Sequence, residues 1–474
     1  MKIRLSELAT LLDAQVRGDS SAVLGHVGTD SRQVRPGELF VALRGDRFDG
    51  HDFVGQALAD GAMAAVVDEA GAARLAELAG PLVIVEDTRQ ALGRLAAHWR
   101  SRFALPVIGV TGSNGKTTVK EMCASILRAQ ARRDGAGDEA VLATSGNLNN
   151  DIGLPLTLLG LAIEHRAAVV EMGMNRPGEI AWLTSIARPT VAVVTNAQRA
   201  HLEGMGSLDE VAREKGRIYT AGAADAVAVI NADDSQAAYW RSLLAGRRSV
   251  SFGLNASADV RAQVELHGLG ARLALETPAG RAELQLQVSG EHNARNALAA
   301  AAACLAAGAS FGAVLEGLQA YTGVRGRLQK VTGPHGALLI DDTYNANPDS
   351  VRAAIDVLAA LPGRKVLVLG DMGEVGRTSA QVHDEVGGYA KSKGIDALLT
   401  LGDMSALAAR NFGEGGQHFG SPQALVEELA PSLGKDVAIL VKGSRFMRME
   451  RVLEALLAMP NTSATGAKGE TDAA

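Results

Sequence analysis

Short runs of β-branched and other apolar residues recur along this chain from about residue 105, and a polar or glycine-rich turn and a helical stretch follow each run. The runs include PVIGV, AAVVEMG, TVAVVTN and AVAVIN. Apolar residues fill these runs without regular alternation, which is typical of strands buried on both faces of a sheet. We therefore predict an α/β fold whose core is a mostly parallel sheet covered by helices.

Two changes of pattern divide the chain into domains. Residues 255–290 alternate apolar and polar positions in three runs separated by turns, which predicts a small antiparallel meander. A second strand-and-helix series begins at about residue 329 and contains no GxGxxG, so a standard dinucleotide site is not supported there. A chain of 474 residues suggests about three domains. We predict a small mixed N-terminal domain, a central domain with a parallel sheet and an antiparallel extension, a C-terminal Rossmann-like domain and a disordered tail, at residues 1–104, 105–328, 329–460 and 461–474.

Composition and charge argue against several classes of protein. The net charge of -6 disfavours a duplex nucleic-acid binder, which needs clustered cations to displace phosphate counterions. The N-terminal stretch has apolar residues at helical spacing interrupted by Glu7 and Asp13, and no apolar run is long enough to span a membrane. Cys123 and Cys304 form no metal-spaced set and are interpreted as reduced core thiols. We expect a cytoplasmic protein that neither spans a membrane nor binds nucleic acid.

The stretch VIGVTGSNGKTTVKEM is similar to a phosphate-binding loop, although the usual pattern G-x-x-x-x-G-K-[ST] has a glycine where this chain has Val110. It lies between an apolar run and a helix-like segment, which is the context that a phosphate cradle requires. The glycines permit close approach of the backbone to phosphates, the lysine supplies charge, and the threonine that follows it suits magnesium. A plain glycine turn is the alternative. The predicted nucleotide-binding residues are Thr111, Gly112, Ser113, Asn114, Gly115, Lys116, Thr117 and Thr118.

Two further side chains are candidates for the same site. Glu171 ends the apolar run AAVVEMG, and because the strand ends of a parallel sheet lie near a bound nucleotide, its carboxylate is placed to hold magnesium. His201, in the loop after the next run, is a candidate ligand of the same metal. The alternatives are structural: a carboxylate that caps the next turn for Glu171, and a surface or core histidine for His201.

Several segments together carry a resemblance to a known family. They are TGSNGKTTVKEM, TSGNLNNDIGLPLTLL, EMGMNRPGEI, TNAQRAHLEGMGS and AREKGRIY, with TDSRQVRPGELFVALRGDRFDGHDF, GEHNARNALAA, GVRGRLQ, DDTYNANPDS and VLGDMGEVG elsewhere. This set resembles the Mur ligase family, the ATP-dependent enzymes that build the peptide of the bacterial cell-wall precursor. In that family the loop reads TGxNGKT, so a residue other than glycine at Val110 is expected. The resemblance covers nearly the whole chain in the right order.

Within the family, GNLNNDIG, EMGMNRPGEI and DDTYNANP resemble most closely the members that add D-alanyl-D-alanine to UDP-N-acetylmuramoyl-tripeptide. The aspartate-tyrosine-alanine-histidine run typical of members that add the third amino acid is absent. The resemblance implies that ATP and magnesium drive the ligation through an acyl phosphate and that the N-terminal domain binds the UDP-muramoyl substrate; we expect a monomer. Another Mur-type ligase, a folylpolyglutamate-synthase-like ligase and a nucleotide-driven switch are the alternatives.

The resemblance also implies a metal role that the residues alone do not reveal. Lys116, Glu171, His201 and Lys215 are the predicted catalytic residues, and Glu171 and His201 match family positions that hold magnesium. Lys215, in AREKGRIY, matches a lysine that the family carries as a carbamate, a modification that requires carbon dioxide and suits a second magnesium ion. Without the resemblance, Lys215 is simply a cation on an amphipathic helix.

The nucleotide contacts follow from the same resemblance. Asn293 and Asn296 lie three residues apart on one helix face, and carboxamides suit the edge of an adenine. A helix start with Asn293 near the cap is the alternative. The resemblance assigns Arg327 to the phosphates and Asp342 to the ribose, tasks that suit a guanidinium and a carboxylate.

Substrate contacts are predicted in several parts of the chain. An arginine and a hydroxyl suit a diphosphate, and amides suit sugar and peptide groups, although a polar turn and a structural loop are the alternatives. The residues predicted to contact the muramoyl substrate are Ser31, Arg32, Asn147, Asn149 and Asn150. The residues predicted to receive the incoming dipeptide lie at or just beyond strand ends of the last domain and are Asp371, Glu374, Lys442 and Ser444.

Overall fold

Four β-sheets organise the residues that the computed structural model describes, which are 2–45, 47–200, 202–255 and 257–459. Helices alternate with the strands and cover the sheets, which confirms the predicted α/β class. His201 and the predicted tail lie outside the described residues. Among the helices that are described, none is both long and apolar enough to cross a membrane.

The N-terminal unit carries a two-stranded and a five-stranded sheet. Its elements are β1 Ile3–Arg4, α1 Leu5–Leu12, β2 Gln15–Arg17, β3 Val23–Leu24, β4 His26–Gly28, β5 Glu38–Val41, α2 Val54–Ala59, β6 Ala64–Asp68, α3 Glu69–Arg74, β7 Leu82–Val85 and α4 Thr88–Ser101. Strands β1 and β3 pair with each other, and the larger sheet has the order β2-β7-β6-β5-β4. Only β2 runs antiparallel to its neighbour in the larger sheet, so this unit is mixed, as predicted.

The central unit is built on the nine-stranded sheet. Its elements are β8 Val107–Thr111, α5 Lys116–Arg133, β9 Val141–Ala143, α6 Gly153–Leu159, β10 Ala167–Glu171, α7 Glu179–Ala187, β11 Val191–Val194, α8 Leu202–Met205, α9 Leu208–Thr220, β12 Val227–Asn231, α10 Ala237–Ser242, β13 Ser249–Gly253, β14 Val260–His267, β15 Gly270–Thr277, β16 Gly280–Leu286, α11 Glu291–Ala306 and α12 Phe311–Ala320. The strand order is β16-β15-β14-β13-β12-β11-β8-β10-β9. The predicted meander is β14, β15 and β16, and the parallel pairing of β13 with β14 joins it to the main sheet.

The C-terminal unit carries the six-stranded sheet. Its elements are β17 Gln329–Thr332, β18 Leu338–Asp342, α13 Pro348–Ala359, β19 Arg364–Gly370, α14 Ser379–Ser392, β20 Ala397–Leu401, α15 Ser405–Phe412, β21 Gly416–Phe419, α16 Pro422–Leu429, β22 Val437–Lys442 and α17 Glu450–Leu457. The order is β17-β18-β22-β19-β20-β21, and only the edge strand β17 is antiparallel. This is the predicted Rossmann-like arrangement of parallel strands and covering helices.

The carboxyl ends of β8, β10 and β11 meet at one edge of the central sheet. Glu171 is paired in register with Val110, and Val194 is paired with Thr111. The glycine-rich loop after β8 therefore lies beside Glu171 and beside the segment that follows β11. The parallel arrangement inferred from the apolar runs is what brings these segments together.

Alanine-rich α11 packs against α5 on one face of the central sheet. Cys123, on α5, and Cys304, on α11, are both buried and free, as predicted for core thiols. Their positions are adjacent, since the Sγ atom of Cys304 lies 3.7 Å from the backbone oxygen of Cys123. This adjacency was not predictable from local patterns, because 181 residues separate the two cysteines.

Tyr219 anchors α9 to the central sheet. Its buried hydroxyl donates to the backbone oxygen of Val229 at 2.7 Å and accepts from the backbone nitrogen of Val194 at 3.2 Å. Burial raises the pKa of Tyr219, so the phenol stays protonated and able to donate. One side chain thus fixes the helix against two neighbouring strands.

Replacing Tyr219 by phenylalanine is expected to lower the free energy of unfolding by about 1–3 kcal/mol, because two buried backbone groups lose their partner. The midpoint of urea unfolding, followed by circular dichroism, measures the change. Tyr239→Phe is the matched control, because Tyr239 is only half-buried on the neighbouring helix α10. Equal shifts of the midpoint for the two variants would contradict the anchoring role.

Candidate active site

The loop after β8 needs glycine at two positions. Gly112 and Gly115 have φ angles of +150° and +82°, a region that glycine occupies readily and other residues rarely occupy. A Cβ atom on Gly112 would lie 1.8 Å from the hydroxyl oxygen of Thr195, and one on Gly115 would lie 2.4 Å from Oδ1 of Asn296. Helix α5 begins directly after Gly115, so its free backbone amides face the loop. The arrangement is that of an anion cradle.

Lys116 folds back over this loop. Its Nζ atom donates to the backbone oxygens of Gly112, at 2.8 Å, and Ser113, at 3.3 Å. Burial lowers the pKa of Lys116, while the nearby carboxylate of Glu171 favours the charged form. The ammonium is therefore held at the mouth of the cradle, where it can neutralise an anionic ligand.

Glu171 and Thr117 form the centre of a polar network under the loop. The Thr117 hydroxyl donates to Oε2 of Glu171 at 2.9 Å and accepts from Arg327 at 2.8 Å. The other carboxylate oxygen of Glu171 accepts from the side-chain amide of Asn149 at 2.8 Å. Glu171 is 2% exposed and is therefore held by these bonds rather than by solvent. The alternative of a turn-capping carboxylate does not describe these contacts.

Lys215 lies on α9 and is fully buried, with 1% of its surface exposed. Burial, reinforced by the neighbouring charge of Lys116, lowers the pKa of Lys215 well below its ordinary value, and Glu214 opposes the shift. Lys215 is therefore not on the solvent-exposed face of the amphipathic helix, and its burial favours the uncharged form of the amine.

Asn293 and Asn296 face the loop from α11. The side-chain amide of Asn296 donates to Oδ1 of Asn293 at 3.2 Å, which confirms that the two lie on one helix face. Gly290 occupies the cap position of α11, and the amide of Asn293 donates to the backbone oxygen of Ser289 at 2.8 Å. Asn293 is therefore the third residue of the helix, near the cap but not the N-cap itself.

Asp342 and Lys442 form a buried ion pair at the ends of β18 and β22. The Nζ atom of Lys442 donates to Oδ2 of Asp342 at 2.6 Å and to the backbone oxygen of Asn345 at 2.9 Å. The backbone nitrogen of Leu328 donates to the second oxygen of Asp342 at 3.2 Å. Burial raises the pKa of Asp342, and Lys442 opposes this shift. The pair joins two parallel strands of the C-terminal sheet.

A cavity of about 830 Å³ opens where the three units meet. Arg89 and Asp151 line one side and are joined by an ion pair of 3.1 Å. Many of the site residues predicted from the sequence line this cavity. They are Ser113, Asn114, Gly115, Lys116, Thr118, Asn149, Asn150, Glu171, Asn293, Asn296, Arg327, Asp342, Glu374 and Lys442.

Other predicted site residues do not line the cavity. Thr111 ends β8, Gly112 lies in the loop, Thr117 lies in the first turn of α5, and Lys215 lies on the buried face of α9. The other predicted residues that do not line the cavity are Ser31, Arg32, Asn147, Asp371 and Ser444. The structure therefore brings together the residues predicted to bind the nucleotide more completely than those predicted to bind the substrates.

Three of these residues outside the lining have clear partners within their own unit. Arg32 is exposed and pairs with Asp30 at 2.7 Å. The carboxylate of Asp371 accepts from backbone nitrogens at the start of α15, including that of Ser405 at 2.7 Å. The hydroxyl of Ser444 accepts from the backbone nitrogen of Gly373 at 2.7 Å. Asp371 and Ser444 thus shape the loops behind the cavity wall.

Sequence reasoning missed several side chains of the site. His292 lines the cavity beside Asn293, and burial lowers its pKa to about 4, so it is neutral. Thr144 accepts from the backbone nitrogen of Glu171 at 3.0 Å, and buried Lys120 donates to the backbone oxygen of Thr144 at 2.8 Å. His292 lies within the quoted motif GEHNARNALAA, so its position there was the available signal.

Gly115→Ala is expected to weaken ATP binding by about tenfold or more, because the new methyl group would displace Asn296 from the loop. The ATP dissociation constant, measured by calorimetry, checks this. Gly135→Ala is the matched control, since Gly135 has a φ of +79° but a Cβ there meets nothing within 4 Å. If both variants bind ATP as the parent does, the contact of Gly115 with Asn296 is irrelevant to the nucleotide.

A strand, a glycine cradle and a helix, with a buried carboxylate at the end of the next parallel strand, define an α/β protein with a phosphate-binding loop. The chain belongs to the Mur ligase family. Residues 24–100 match the Mur ligase family catalytic domain, residues 110–304 the Mur ligase middle domain, and residues 326–445 the Mur ligase glutamate ligase domain.

Individual relatives are similar over almost their whole length. The UDP-N-acetylmuramoyl-tripeptide--D-alanyl-D-alanine ligase of Escherichia coli is 42% identical over 460 residues, which is 96% of this chain and 98% of that protein. The crystal structure of MurF from Acinetobacter baumannii superposes with a TM-score of 0.90 at 36% identity, covering 97% of this chain and 99% of that one. MurF ligase from Thermotoga maritima in complex with ADP gives a TM-score of 0.79 at 28% identity, covering 91% and 96%.

Proposed function

We propose that this protein is an ATP-dependent ligase that joins D-alanyl-D-alanine to UDP-N-acetylmuramoyl-tripeptide, giving the pentapeptide precursor of peptidoglycan, ADP and phosphate. The observation that carries the proposal is one cavity that combines the phosphate cradle with Glu171. The near full-length identity to ligases of that name supports the substrates. The ADP complex of the Thermotoga maritima relative supports the use of ATP.

The chemistry requires two anions to meet. An oxygen of the tripeptide carboxylate attacks the γ-phosphorus of ATP, ADP leaves, and an acyl phosphate forms. The free amine of the dipeptide then attacks the acyl carbon, loses a proton, and releases phosphate that keeps one oxygen of the original carboxylate. Lys116 and Arg327, both at the cradle, supply positive charge that offsets the repulsion and stabilises the transferring group.

Magnesium is the metal that the proposal requires. The hydroxyl of Thr117 and the carboxylate of Glu171 lie 2.9 Å apart at the base of the cradle, and hard oxygen donors of this kind suit Mg²⁺. When bound, magnesium neutralises phosphate charge. We assign Thr117, Glu171 and His201 as its protein ligands, with His201 proposed on the sequence alone. Glu171 is positioned for this role by Asn149.

We further propose that Lys215 is carbamylated. The neutral amine favoured by burial attacks the carbon of carbon dioxide and loses a proton, which gives an anionic carbamate. The charge of Lys116, which disfavours a second cation at this position, would favour that anion. The carbamate would supply oxygen ligands to a second magnesium ion where an ammonium group would repel it.

The remaining contacts follow the shape of the cavity. We assign Asn293 and Asn296 to adenine, Asp342 to ribose and Arg327 to the phosphates. We assign Asn147, Asn149 and Asn150 to the sugar and peptide of the muramoyl substrate, with the N-terminal unit, Ser31 and Arg32 receiving the UDP end. We assign the side lined by Glu374 and Lys442 to the dipeptide, with Asp371 and Ser444 holding that wall.

We also propose domain borders near residues 104 and 328, a monomer and a cytoplasmic location.

The proposal is tested by measuring phosphate release from ATP with every combination of candidate substrates. We expect release only when UDP-N-acetylmuramoyl-tripeptide and D-alanyl-D-alanine are both present. Release with neither substrate would support a nucleotide switch. Dependence on folate and glutamate would support a folylpolyglutamate-synthase-like enzyme, and dependence on a shorter muramoyl peptide and a single amino acid would support another Mur-type ligase.

A further inference from the structure

Arg199 and Asp349 join the central unit to the C-terminal unit beside the phosphate loop. The backbone nitrogen of Arg199 donates to Oδ2 of Asp349 at 2.9 Å, and its guanidinium donates to Oδ1 through Nε at 3.1 Å and Nη2 at 2.7 Å. The two side chains are 33% and 22% exposed. Two of these bonds are charge-assisted on both sides and come from one planar group, so they fix orientation as well as distance.

The segment that carries Arg199, residues 196–200, is tied to the phosphate loop. The hydroxyl of Ser113 donates to the backbone oxygen of Gln198 at 3.0 Å and accepts from its backbone nitrogen at 2.9 Å. The backbone nitrogen of Asn114 donates to Oδ1 of Asn196 at 2.9 Å. A displacement of Arg199 is therefore transmitted to the loop by direct bonds.

The start of α13, which carries Asp349, touches the same loop. Asn347 caps this helix by accepting from the backbone nitrogen of Ser350, and its side-chain amide donates to Oδ1 of Asn114 at 2.7 Å. Asp349 lies in the first turn of the helix, where a negative charge is favourable. The helix is thus held to the central unit at two points, one of which is the phosphate loop itself.

We propose that Arg199 and Asp349 are a positioning pair that docks the C-terminal unit on the phosphate loop, so that the dipeptide amine meets the acyl phosphate. The inference rests on the proposed function, because it takes the dipeptide to bind the C-terminal unit. Neither residue is assigned to the reacting atoms. Their contribution is to hold two separately folded units in one relative orientation while the reactive intermediate exists.

Loss of this pair should separate the two half-reactions. Phosphoryl transfer needs the cradle and the muramoyl carboxylate, and the cradle keeps its own bonds to Asn196 and Gln198 when the pair is broken. Attack by the amine needs the docked C-terminal unit as well. An acyl phosphate that waits for the amine reacts with water instead, which releases phosphate and returns the free carboxylate. Weaker docking should therefore raise the phosphate released per peptide bond formed.

The test uses the full-length variants Arg199→Met, Asp349→Asn and the double variant. We expect each single substitution to raise the KM for D-alanyl-D-alanine by about five- to tenfold and to raise the ratio of phosphate to peptide product above one. We expect the dissociation constant for ATP to change by less than the KM for D-alanyl-D-alanine does, because the loop keeps its bonds to residues 196–198 and only the assigned ribose contact, Asp342, moves with the C-terminal unit. The double variant should be no worse than Arg199→Met, because Arg199→Met already removes the ion pair with Asp349 together with a 3.6 Å ion pair to Glu385 of the same unit. Arg199→Lys, which keeps the charge, should raise the KM and the ratio of phosphate to product less than Arg199→Met does.

Arg261→Met is the matched control, since it removes one arginine from an ion pair with Glu276 of 2.7 Å that lies within the central unit. We expect it to behave as the parent. The inference is overturned if the single effects on KM multiply in the double variant, or if the ratio of phosphate to product stays at one in all variants. Failure of the proposed function would look different, because the parent itself would then show no phosphate release that depends on both substrates.

Discussion

Replacing Lys116 with alanine is expected to abolish turnover, with kcat falling by about 10³-fold or more. Lys116 is the cation whose ammonium group lies over the cradle, 2.8 Å from the backbone oxygen of Gly112. Without Lys116, the ammonium group at the cradle that offsets the repulsion between the carboxylate and the anionic triphosphate is lost. Steady-state phosphate release with saturating substrates measures the effect.

The control for Lys116→Ala separates charge loss at the cradle from general charge loss. Lys435→Ala removes an exposed lysine from the C-terminal unit and should leave kcat unchanged. Circular dichroism of Lys116→Ala should match the parent, because alanine is compatible with the first turn of α5. A well-folded Lys116→Ala enzyme with kcat within tenfold of the parent would remove Lys116 from the account of phosphoryl transfer.

Replacing Lys215 with alanine is expected to lower kcat by about 10²-fold or more, because the proposed carbamate and the second magnesium site are lost together. A short carboxylate such as acetate, added in solution, should restore part of the activity by supplying oxygen ligands in the space that the side chain leaves. Depletion of carbon dioxide should also lower the activity of the parent enzyme. Activity assays across acetate concentrations measure the rescue.

Two rescue controls test whether residue 215 acts as a carbamate. Methylammonium should not rescue Lys215→Ala, because a cation restores the amine and not the carboxylate. Acetate should not rescue Lys116→Ala, in which the missing group is a cation. A fully active Lys215→Ala enzyme, or rescue by methylammonium in place of acetate, would show that residue 215 acts without a carbamate.

Much of the fold follows from local sequence. The runs that became β8, β10, β11 and β12 are apolar along their length, which marks strands buried on both faces. The alternating runs became β14 to β16, because one face of each strand there is more exposed. The joining of this meander to the main sheet was not predictable, because it depends on the pairing of β13 with β14, a tertiary contact with no local signature.

Some residues of the candidate site were predicted from local sequence patterns, whereas others depend on tertiary contacts and were missed. The phosphate loop and Glu171 were found from local patterns, since a strand end followed by glycines or a carboxylate is a short-range signal. The burial of Lys215 was missed, because the hydrophobic stripe of α9 does not reveal that a lysine faces inward against the sheet. The pairing of Arg199 with Asp349 was also missed, because 150 residues separate them and only domain packing brings them together.

The substrate assignments show the limit of motif reasoning. Arg32 lies within one of the motifs that carry the family resemblance, yet its guanidinium pairs with Asp30 on the surface, and this pairing lowers the pKa of Asp30 to about 2. Asp371 lies at a strand end, as expected, but its carboxylate accepts from the amides that begin α15. In both cases the side chain has a partner within its own unit that the motif alone does not reveal, and the substrate roles of Arg32 and Asp371 stay predictions.

The most direct test of the account follows the oxygen atoms of the substrate. The tripeptide carboxylate is labelled with ¹⁸O, and the phosphate released during ligation to D-alanyl-D-alanine is analysed by mass spectrometry. An acyl-phosphate ligase transfers one carboxylate oxygen to each phosphate, so we predict one ¹⁸O atom per phosphate released. Phosphate without ¹⁸O, formed while the pentapeptide accumulates, would contradict the central claim that ATP activates the carboxylate directly.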